Sequence, residues 1–428
     1  MKTLITNAYV LDMVGDTANI EKKEILINDN IIEIIDKEID KDIEVDEKIN
    51  AKNMLVMPGL VNTHTHLAMS IFRGYKADKK LMDWLEDAIF PVEDKLQPED
   101  IYWNSYLSCL EMIKSGTTTC NDMYFGMNKT VEAIRDTGLR AVVAWCIKDD
   151  SIKDKVEQTR KYAKKYNKEN SRITVFSSPH APYTCSPNTI KMCVDLAKEL
   201  NTGLHIHLSE TLGEEKVIEE TYNKRGTEYL KDLGVFDVPV VLAHGIYISD
   251  SDIEILKNIK GGISHNPISN CKLSSGICDV VKLRKNGINI GLGTDGIGST
   301  TTMDMFEEMK TAAYLQNVST KEPGVMSAYD ILKMATIDGA KVLGMEDQIG
   351  TLEPGKKADM IFIKTDKIHM CPANDVCYNL VYSSNGADVE SVMIDGKIIM
   401  QNRKMVNLDE KEVIKQVKKI AKRILLNR

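Results

Sequence analysis

Two histidines separated by a single residue, His64 and His66, close the run Met57-Pro58-Gly59-Leu60-Val61-Asn62-Thr63-His64-Thr65-His66. On an extended strand, residues two apart point to the same side, so both imidazoles can approach one cation from one direction. Zinc or ferrous iron suits nitrogen donors of this kind. Met57-Pro58-Gly59 forces a turn before the strand, and the histidines arrive where a buried strand from Leu60 to Thr63 runs out into a loop. A metal needs three or four convergent donors. His207 and Asp295, each expected at the end of a later strand, complete a set of three neutral nitrogens and one carboxylate with a position open for water. One divalent ion held this way, Zn2+ by preference or Fe2+, would bring a bound water to hydroxide near neutral pH. Asp295 can accept that water's proton. Glu210, three residues past His207, can carry a proton to the leaving nitrogen of an attacked ring, or can simply be an acid at a helix N-terminus. His244 can hold or polarise the water or merely satisfy a loop carbonyl. His265, in Ser264-His265-Asn266-Pro267, is more ambiguous. His205 shares strand parity with His207 and is expected as a packed histidine hydrogen-bonded behind the ligands. His369 receives no role.

These residues need a scaffold that gathers distant strand ends at one rim. From Pro58 onward, apolar strands alternate with amphipathic helical stretches, the pattern of a parallel sheet built from β-α repeats. Eight strands are expected: Gly59 to His64, Thr117 to Met123, Arg140 to Cys146, Ile173 to Ser178, Gly203 to Leu208, Pro239 to Ala243, Gly262 to His265 and Asn289 to Thr294. Helical spacing runs through Tyr102 to Lys114, Val156 to Tyr166, Asn188 to Leu200, Ser249 to Ile259 and Val280 to Lys285. Eight such units close a (β/α)8 TIM barrel, whose chemistry gathers at the carboxyl ends of its strands. Six of the eight histidines fall at or just after such ends, and Asp295 ends the eighth strand. Helices are expected after the barrel at Met303 to Leu315 and Ala328 to Leu343, the second capped by Ser327 and stopped by Gly344. Short alternating strands at both ends of the chain predict a small β-sandwich domain made of residues 1–57 and 357–428, flanking a catalytic barrel over 58–356. The basic amphipathic stretch Glu410 to Leu426 is expected to cover that sandwich.

Bulk composition narrows the class. The chain has 428 residues, 43% hydrophobic and 28% charged, with 55 Lys and Arg against 63 Asp and Glu. A net charge of −8 offers no field for phosphate backbones, so no nucleic-acid partner is expected. No apolar run is long enough to span a bilayer, and no signal-peptide core opens the chain, so no membrane partner is expected. The nine cysteines are scattered, never spaced Cys-x-x-Cys, which suits reduced thiols and a cytoplasmic location. The predicted fourth strand lacks the lysine that a bridged two-metal centre ordinarily uses, so one metal is expected. No His-Glu-x-x-His, Pro-Cys-x-x-Cys, Gly-x-x-x-x-Gly-Lys-Ser or Gly-x-Ser-x-Gly motif occurs, which removes protease, nucleic-acid deaminase, triphosphatase and serine-hydrolase readings.

In chain order, Pro58-Gly59-Leu60-Val61-Asn62-Thr63-His64-Thr65-His66, His207-Leu208-Ser209-Glu210, Ala243-His244, Ser264-His265-Asn266-Pro267 and Leu292-Gly293-Thr294-Asp295-Gly296 resemble the amidohydrolase superfamily. Within it, Arg73-Gly74, Trp84-Leu85 and Ile89-Phe90-Pro91-Val92-Glu93 are similar to the 5-methylthioadenosine/S-adenosylhomocysteine deaminases and their 5'-deoxyadenosine deaminase relatives. That resemblance implies hydrolytic deamination of the adenine ring of a small nucleoside, with Glu93 on the ribose hydroxyls, His180 on the purine and Glu210 protonating the ring. It also implies a homo-oligomer. Trp145 and Lys155 stand where S-adenosylhomocysteine-using members are expected to carry arginines, so an apolar 5' pocket is expected, favouring 5'-methylthioadenosine, 5'-deoxyadenosine or adenosine. The competing readings are a triazine chlorohydrolase or a guanine or cytosine deaminase on the same metal site, and an inactive binding scaffold.

Overall fold

In the computed structural model, residues 1–76, 78–150 and 152–426 are described. Their centre is a parallel barrel of eight strands: β1 (Leu60–His66), β2 (Thr117–Tyr124), β3 (Arg140–Trp145), β4 (Ile173–Val175), β5 (Leu204–Leu208), β6 (Val240–His244), β7 (Gly261–His265) and β8 (Ile290–Leu292, resuming at Asp295–Gly296). Parallel ladders join β1 through β4 and β5 through β8. Between β4 and β5 the sheet continues through a single bridge, Ser177 with Leu204. The resumed end of β8 pairs with β1 and closes the ring.

Side chains alternate across the barrel wall as a pleated strand requires. On β3, Val142 and Ala144 join an interior cluster with Val61, Phe176 and Val241, whereas Val143 and Trp145 join the layer beneath the helices. The β1–β2 ladder slips register between Asn62 and Thr65. A slip of this kind at a barrel rim re-aims side chains. Here Thr63, whose hydroxyl meets Ser264 Oγ at 2.6 Å, and His64, packed among other imidazoles, both turn inward.

The terminal segments form one continuous nine-stranded sheet. Its join is Met54–Pro58 running antiparallel to Met360–Lys364. The sheet curls around its own apolar core, which includes Ile5, Val10, Ile27, Val56, Phe362 and Met393. A bridge from Ile31 to Lys357 and a 3.0 Å hydrogen bond from Asn30 Nδ2 to Asp395 Oδ1 tie its two halves together. Gly59 alone separates the sheet strand ending at Pro58 from β1. An added Cβ at Gly59 would lie 2.0 Å from Thr118 Oγ1, so glycine is required by the close approach.

Two expectations need correction. The helix expected over Ala328 to Leu343 is two helices, Ala328–Met334 and Ile337–Leu343, with Thr336 out of helical conformation between them. The break leaves the Ala335 carbonyl free to accept the Val61 N–H at 2.8 Å, pinning β1 from below. The C-terminal helix Glu410–Ala421 does not cover the curled sheet. It packs along the barrel helix Pro98–Lys114, held by Lys114 to Glu410 at 2.8 Å and, from the wider turn Lys422–Leu426 that continues it, by Arg423 to Asp100 at 2.5 Å; Ile420 of the helix and Ile424 of that turn enter an apolar cluster with Phe72, Trp84 and Val92. Its apolar stripe faces the barrel and its lysines face water, so the basic face gave no direction. Residues 427 and 428 lie outside the described residues.

Candidate active site and metal centre

The carboxyl ends of the barrel strands converge as expected. His64 and His66 end β1, His207 lies near the end of β5, His244 ends β6 and Asp295 opens the last piece of β8. The candidate ligand atoms of His64, His66 and His207 all lie within 4.8 Å of one another, and so do those of His64, His244 and Asp295. Asp295 Oδ1 stands 3.2 Å from His66 Nε2 and 3.4 Å from His64 Nε2. The four residues expected as ligands are therefore brought together, with His244 beside them.

The far nitrogens of the rings are already engaged, and this decides which nitrogen faces the centre. His66 Nδ1 donates to the Met123 carbonyl at 2.5 Å, and His207 Nδ1 donates to the His180 carbonyl at 2.8 Å. A carbonyl can only accept, so each Nδ1 holds a proton and each Nε2 is the nitrogen turned inward, the one a cation would take. His64 Nδ1 meets His205 Nε2 at 2.9 Å, so His205 packs directly behind His64. His64 Nε2 is buried with no hydrogen-bond partner. Buried polar atoms are ordinarily paired, so an orphaned imidazole nitrogen facing two others and a carboxylate fits a divalent cation. Burial pulls the His64 pKa down to about 4 and holds His207 well below its ordinary value. Burial also pulls on His66, but Asp295 more than offsets it and raises the ring to about 9. Burial alone would raise Asp295; the His64 and His66 imidazoles turned toward it take it well below the usual carboxylate range. The carboxylate thus draws positive charge to this point.

Asp295 and His244 sit at φ +62° and +77°, a conformation L residues rarely adopt and one that clusters at functional sites. Asp295 Oδ2 accepts Ser269 Oγ at 2.6 Å and Ser299 Oγ at 3.0 Å, which leaves Oδ1 turned toward the histidines. His244 Nδ1 bonds the Asn270 side-chain oxygen at 2.9 Å rather than a loop carbonyl, and its Nε2 lies 3.6 Å from Glu210 Oε2. Burial raises the Glu210 pKa, so this carboxyl keeps its proton to higher pH than a solvated glutamate. Sequence reading missed Ser269, Asn270 and Ser299. Their only signal was position, two and three residues past Asn266-Pro267 and four past Asp295.

A cavity of about 420 Å3 opens above this centre, lined by His66, His207, His244 and Asp295 at one end and roofed by Trp84, Leu85, Ile89 and Phe90. The volume suits a small ligand. Glu93, His180 and Glu210 line it too. Tyr124 OH donates to Glu93 Oε1 at 2.5 Å, and burial raises the Glu93 pKa. His180 Nδ1 is taken by Thr184 Oγ1 at 2.7 Å, and burial holds the ring neutral, well below its ordinary pKa. His265 does not line the cavity, and neither of its ring nitrogens has a partner among the described residues. His369 is paired with Asp388 at 2.8 Å, elsewhere on the surface.

Trp145 is a correction. It faces away from the cavity, its ring edge-on to Tyr162 of the helix Ile152–Tyr166 at 5.0 Å, because strand alternation sends Ala144 inward and Trp145 outward. The cavity receives Cys146, Lys148 and Lys155 instead. Lys148 Nζ lies 4.9 Å from the Phe90 ring, three residues from Glu93.

Comparison with known proteins agrees with this geometry. The amidohydrolase family model matches residues 55–399. A 5-methylthioadenosine/S-adenosylhomocysteine deaminase of Thermoanaerobacter pseudethanolicus is 45% identical over 433 residues, covering 99% of this chain and 100% of its own. A 5'-deoxyadenosine deaminase of Methanosarcina mazei is 43% identical over 427 residues, covering 99% and 98%. The crystal structure of an adenosine deaminase from Xanthomonas campestris with bound zinc superposes with a TM-score of 0.95 at 28% identity, covering 99% of this chain and 98% of that one. With the model spanning most of its length and relatives this similar from end to end, the chain belongs to the amidohydrolase family.

Proposed function

We propose that this protein hydrolytically deaminates the adenine ring of 5'-modified adenosines to the inosine analogue and ammonia. One observation carries the reading: Glu93, His180, Glu210 and Asp295 line a single cavity with the imidazole cluster at its floor. The similarity to deaminases of 5'-methylthioadenosine, S-adenosylhomocysteine and 5'-deoxyadenosine supports the substrate class. His64, His66, His207 and Asp295 would hold one divalent cation, Zn2+ by preference. When bound, that ion supplies the Lewis acidity that makes water nucleophilic near neutral pH.

The chain's own groups do the rest. Glu93 accepts the ribose hydroxyls, which needs it ionised, and substrate hydroxyls join Tyr124 OH in favouring that form. His180, neutral and with Nδ1 engaged, presents Nε2 to the purine edge. Glu210 gives its proton to a ring nitrogen as water adds to C6, His244 Nε2 orients that water, and Asp295 takes the proton the water loses. The proton from Glu210 stays on the ring nitrogen of the inosine product; as the C–N bond breaks, the proton held by Asp295 passes to the departing NH2 to give ammonia, and the C6 hydroxyl returns its proton to Glu210 as the carbonyl forms. Lys148 and Lys155 at the cavity replace the apolar 5' pocket expected from Trp145, so an amino-acid carboxylate on the 5' substituent has a cation to meet. S-adenosylhomocysteine therefore joins 5'-methylthioadenosine, 5'-deoxyadenosine and adenosine as a substrate. A cytoplasmic homo-oligomer completes the reading; among the described residues no helix is long and apolar enough to cross a membrane.

The test is ammonia release by zinc-loaded enzyme from a matched series of 5'-substituted adenosines alongside guanine, cytosine and a chlorotriazine. Turnover of the nucleosides is expected. Release from the free bases or the triazine with none from any nucleoside would overturn the reading.

A further inference from the structure

We infer that Glu214 is a positioning residue that aims Glu210 into the cavity by gripping the backbone of the turn that carries it. The inference rests on the deaminase reading and on Glu210 as its acid. Glu214 is buried in the first turn of the helix Leu212–Tyr222 and does not line the cavity, so it does not touch substrate. Its two oxygens have separate tasks. Oε1 accepts the Ser209 N–H at 3.0 Å and Oε2 accepts the Glu210 N–H at 2.8 Å.

The turn needs such a grip. Ser209 sits at φ +54°, disfavoured for any residue with a Cβ, immediately after β5 delivers His207. The Ser209 carbonyl accepts the N–H groups of Ile246 and Tyr247 at 3.0 and 3.1 Å, and its hydroxyl donates to Glu215 Oε1 at 2.6 Å. With carbonyl and hydroxyl fixed from two sides, the two amides are what remain to set the direction of the next side chain, Glu210. Both go to one carboxylate. Glu215, next in the helix, is paired with Arg225 at 3.3 Å, and Arg225 with Asp252 at 2.7 Å, but the described residues give Glu214 no cation; its hydrogen bonds are to those amides. Burial, with the neighbouring Glu210 and Glu215 carboxyls, pushes the Glu214 pKa up to about 8, and the two amide donors, one aimed at each oxygen, pull the other way and favour the carboxylate.

Glutamine has the same shape but one oxygen and one NH2 group, so Glu214→Gln sets a donor against one of the two amides. Glu214→Asp keeps both oxygens and shortens the reach. The experiment measures kcat, KM, zinc content and melting temperature above pH 8, where Glu214 is ionised, for Glu214→Gln, Glu214→Asp, Glu210→Gln and the Glu210→Gln/Glu214→Gln pair. We expect folded Glu214→Gln with wild-type zinc content, KM within about threefold and kcat lowered about fivefold or more, since small misplacements of a reacting group are costly. In the double variant the added Glu214→Gln change should cost less than about twofold, because the group it aims is already disabled. A smaller loss in the single variant, a loss carried by KM or zinc, or an equal loss on both backgrounds overturns the inference. So does failure of both Glu214→Gln and Glu214→Asp to fold, which would make Glu214 a folding residue. Wild-type turnover by Glu210→Gln, or no nucleoside turnover by the unaltered enzyme, is a separate failure, that of the deaminase reading itself.

Discussion

Two regions of this protein bury charge, and they treat it in opposite ways. At the seam between barrel and curled sheet, Arg140 at the start of β3 donates to both oxygens of Asp359, at 2.6 and 3.0 Å, and to Asp395 at 3.2 Å. The Asp395 N–H completes the cluster by donating to Asp359 at 2.7 Å. Arg140 and Asp359 are each 1% exposed, yet nothing there is left unpaired. At the opposite rim, His64 Nε2 is equally hidden and has no hydrogen bond, and the residues around it hold strained backbone angles. Desolvated charge that is fully matched within the chain holds two parts of the fold together, whereas desolvated donors aimed at one another across a gap describe something the chain is built to bind. The contrast follows the barrel's polarity, with stability at the amino ends of the strands and chemistry at the carboxyl ends.

The sharpest way to break this contrast is to remove a ligand at the rim. His64→Ala should show no bound metal by elemental analysis and no measurable ammonia release, while its melting curve keeps a single cooperative transition. Glu210→Gln should keep its metal and lose about 10^2 to 10^4 in kcat. Burial raises the Glu210 pKa, so the protonated acid persists to higher pH than in a solvated glutamate. Activity should therefore fall on the alkaline side as Glu210 ionises, and a rate–pH profile of Glu210→Gln should lack that limb. The seam should respond in the other currency. Arg140→Met leaves the buried Asp359 and the half-buried Asp395 without their cation, and denaturant titration should show a loss of about 3–5 kcal/mol with kcat of the folded fraction unchanged. Smaller still, Lys148→Met should raise KM for S-adenosylhomocysteine relative to 5'-methylthioadenosine by roughly three- to tenfold, the scale of a partly exposed ion pair. Trp145→Phe should leave that ratio within about twofold, since the ring packs on Tyr162 outside the cavity.

Much of the rim was legible because strand ends and ligand chemistry are both local signals. His-x-His after a buried run, a histidine in each of two later strands and an acid after the eighth already imply a meeting point if the strands close a barrel. What escaped were groups whose role depends on a partner far away in the chain. Ser269 and Ser299 matter only because Asp295 needs one oxygen tied back, and Asn270 only because His244 needs its far nitrogen held. Trp145 was misplaced by one position: at a strand end, a shift of one residue exchanges the inside of the barrel for the outside. The C-terminal helix was misdirected for a related reason. Its stripe of Val413, Val417 and Ile420 announces that one face is covered, but amphipathic spacing does not say by what.

That helix has a consequence for the order in which the molecule can be made. Ile420 and Ile424 share an apolar cluster with Trp84, Ile89 and Val92 of the segment that forms the cavity's roof. A ribosome has delivered every group of the metal centre once Asp295 emerges, and domains generally fold from the N-terminal side during synthesis. The ceiling over those groups has to wait for residues 410–424. A nascent chain stalled just before residue 410 would already hold every group of that centre, with Ser299 and the Ala335 carbonyl that steady it, while part of its cover is still unsupported.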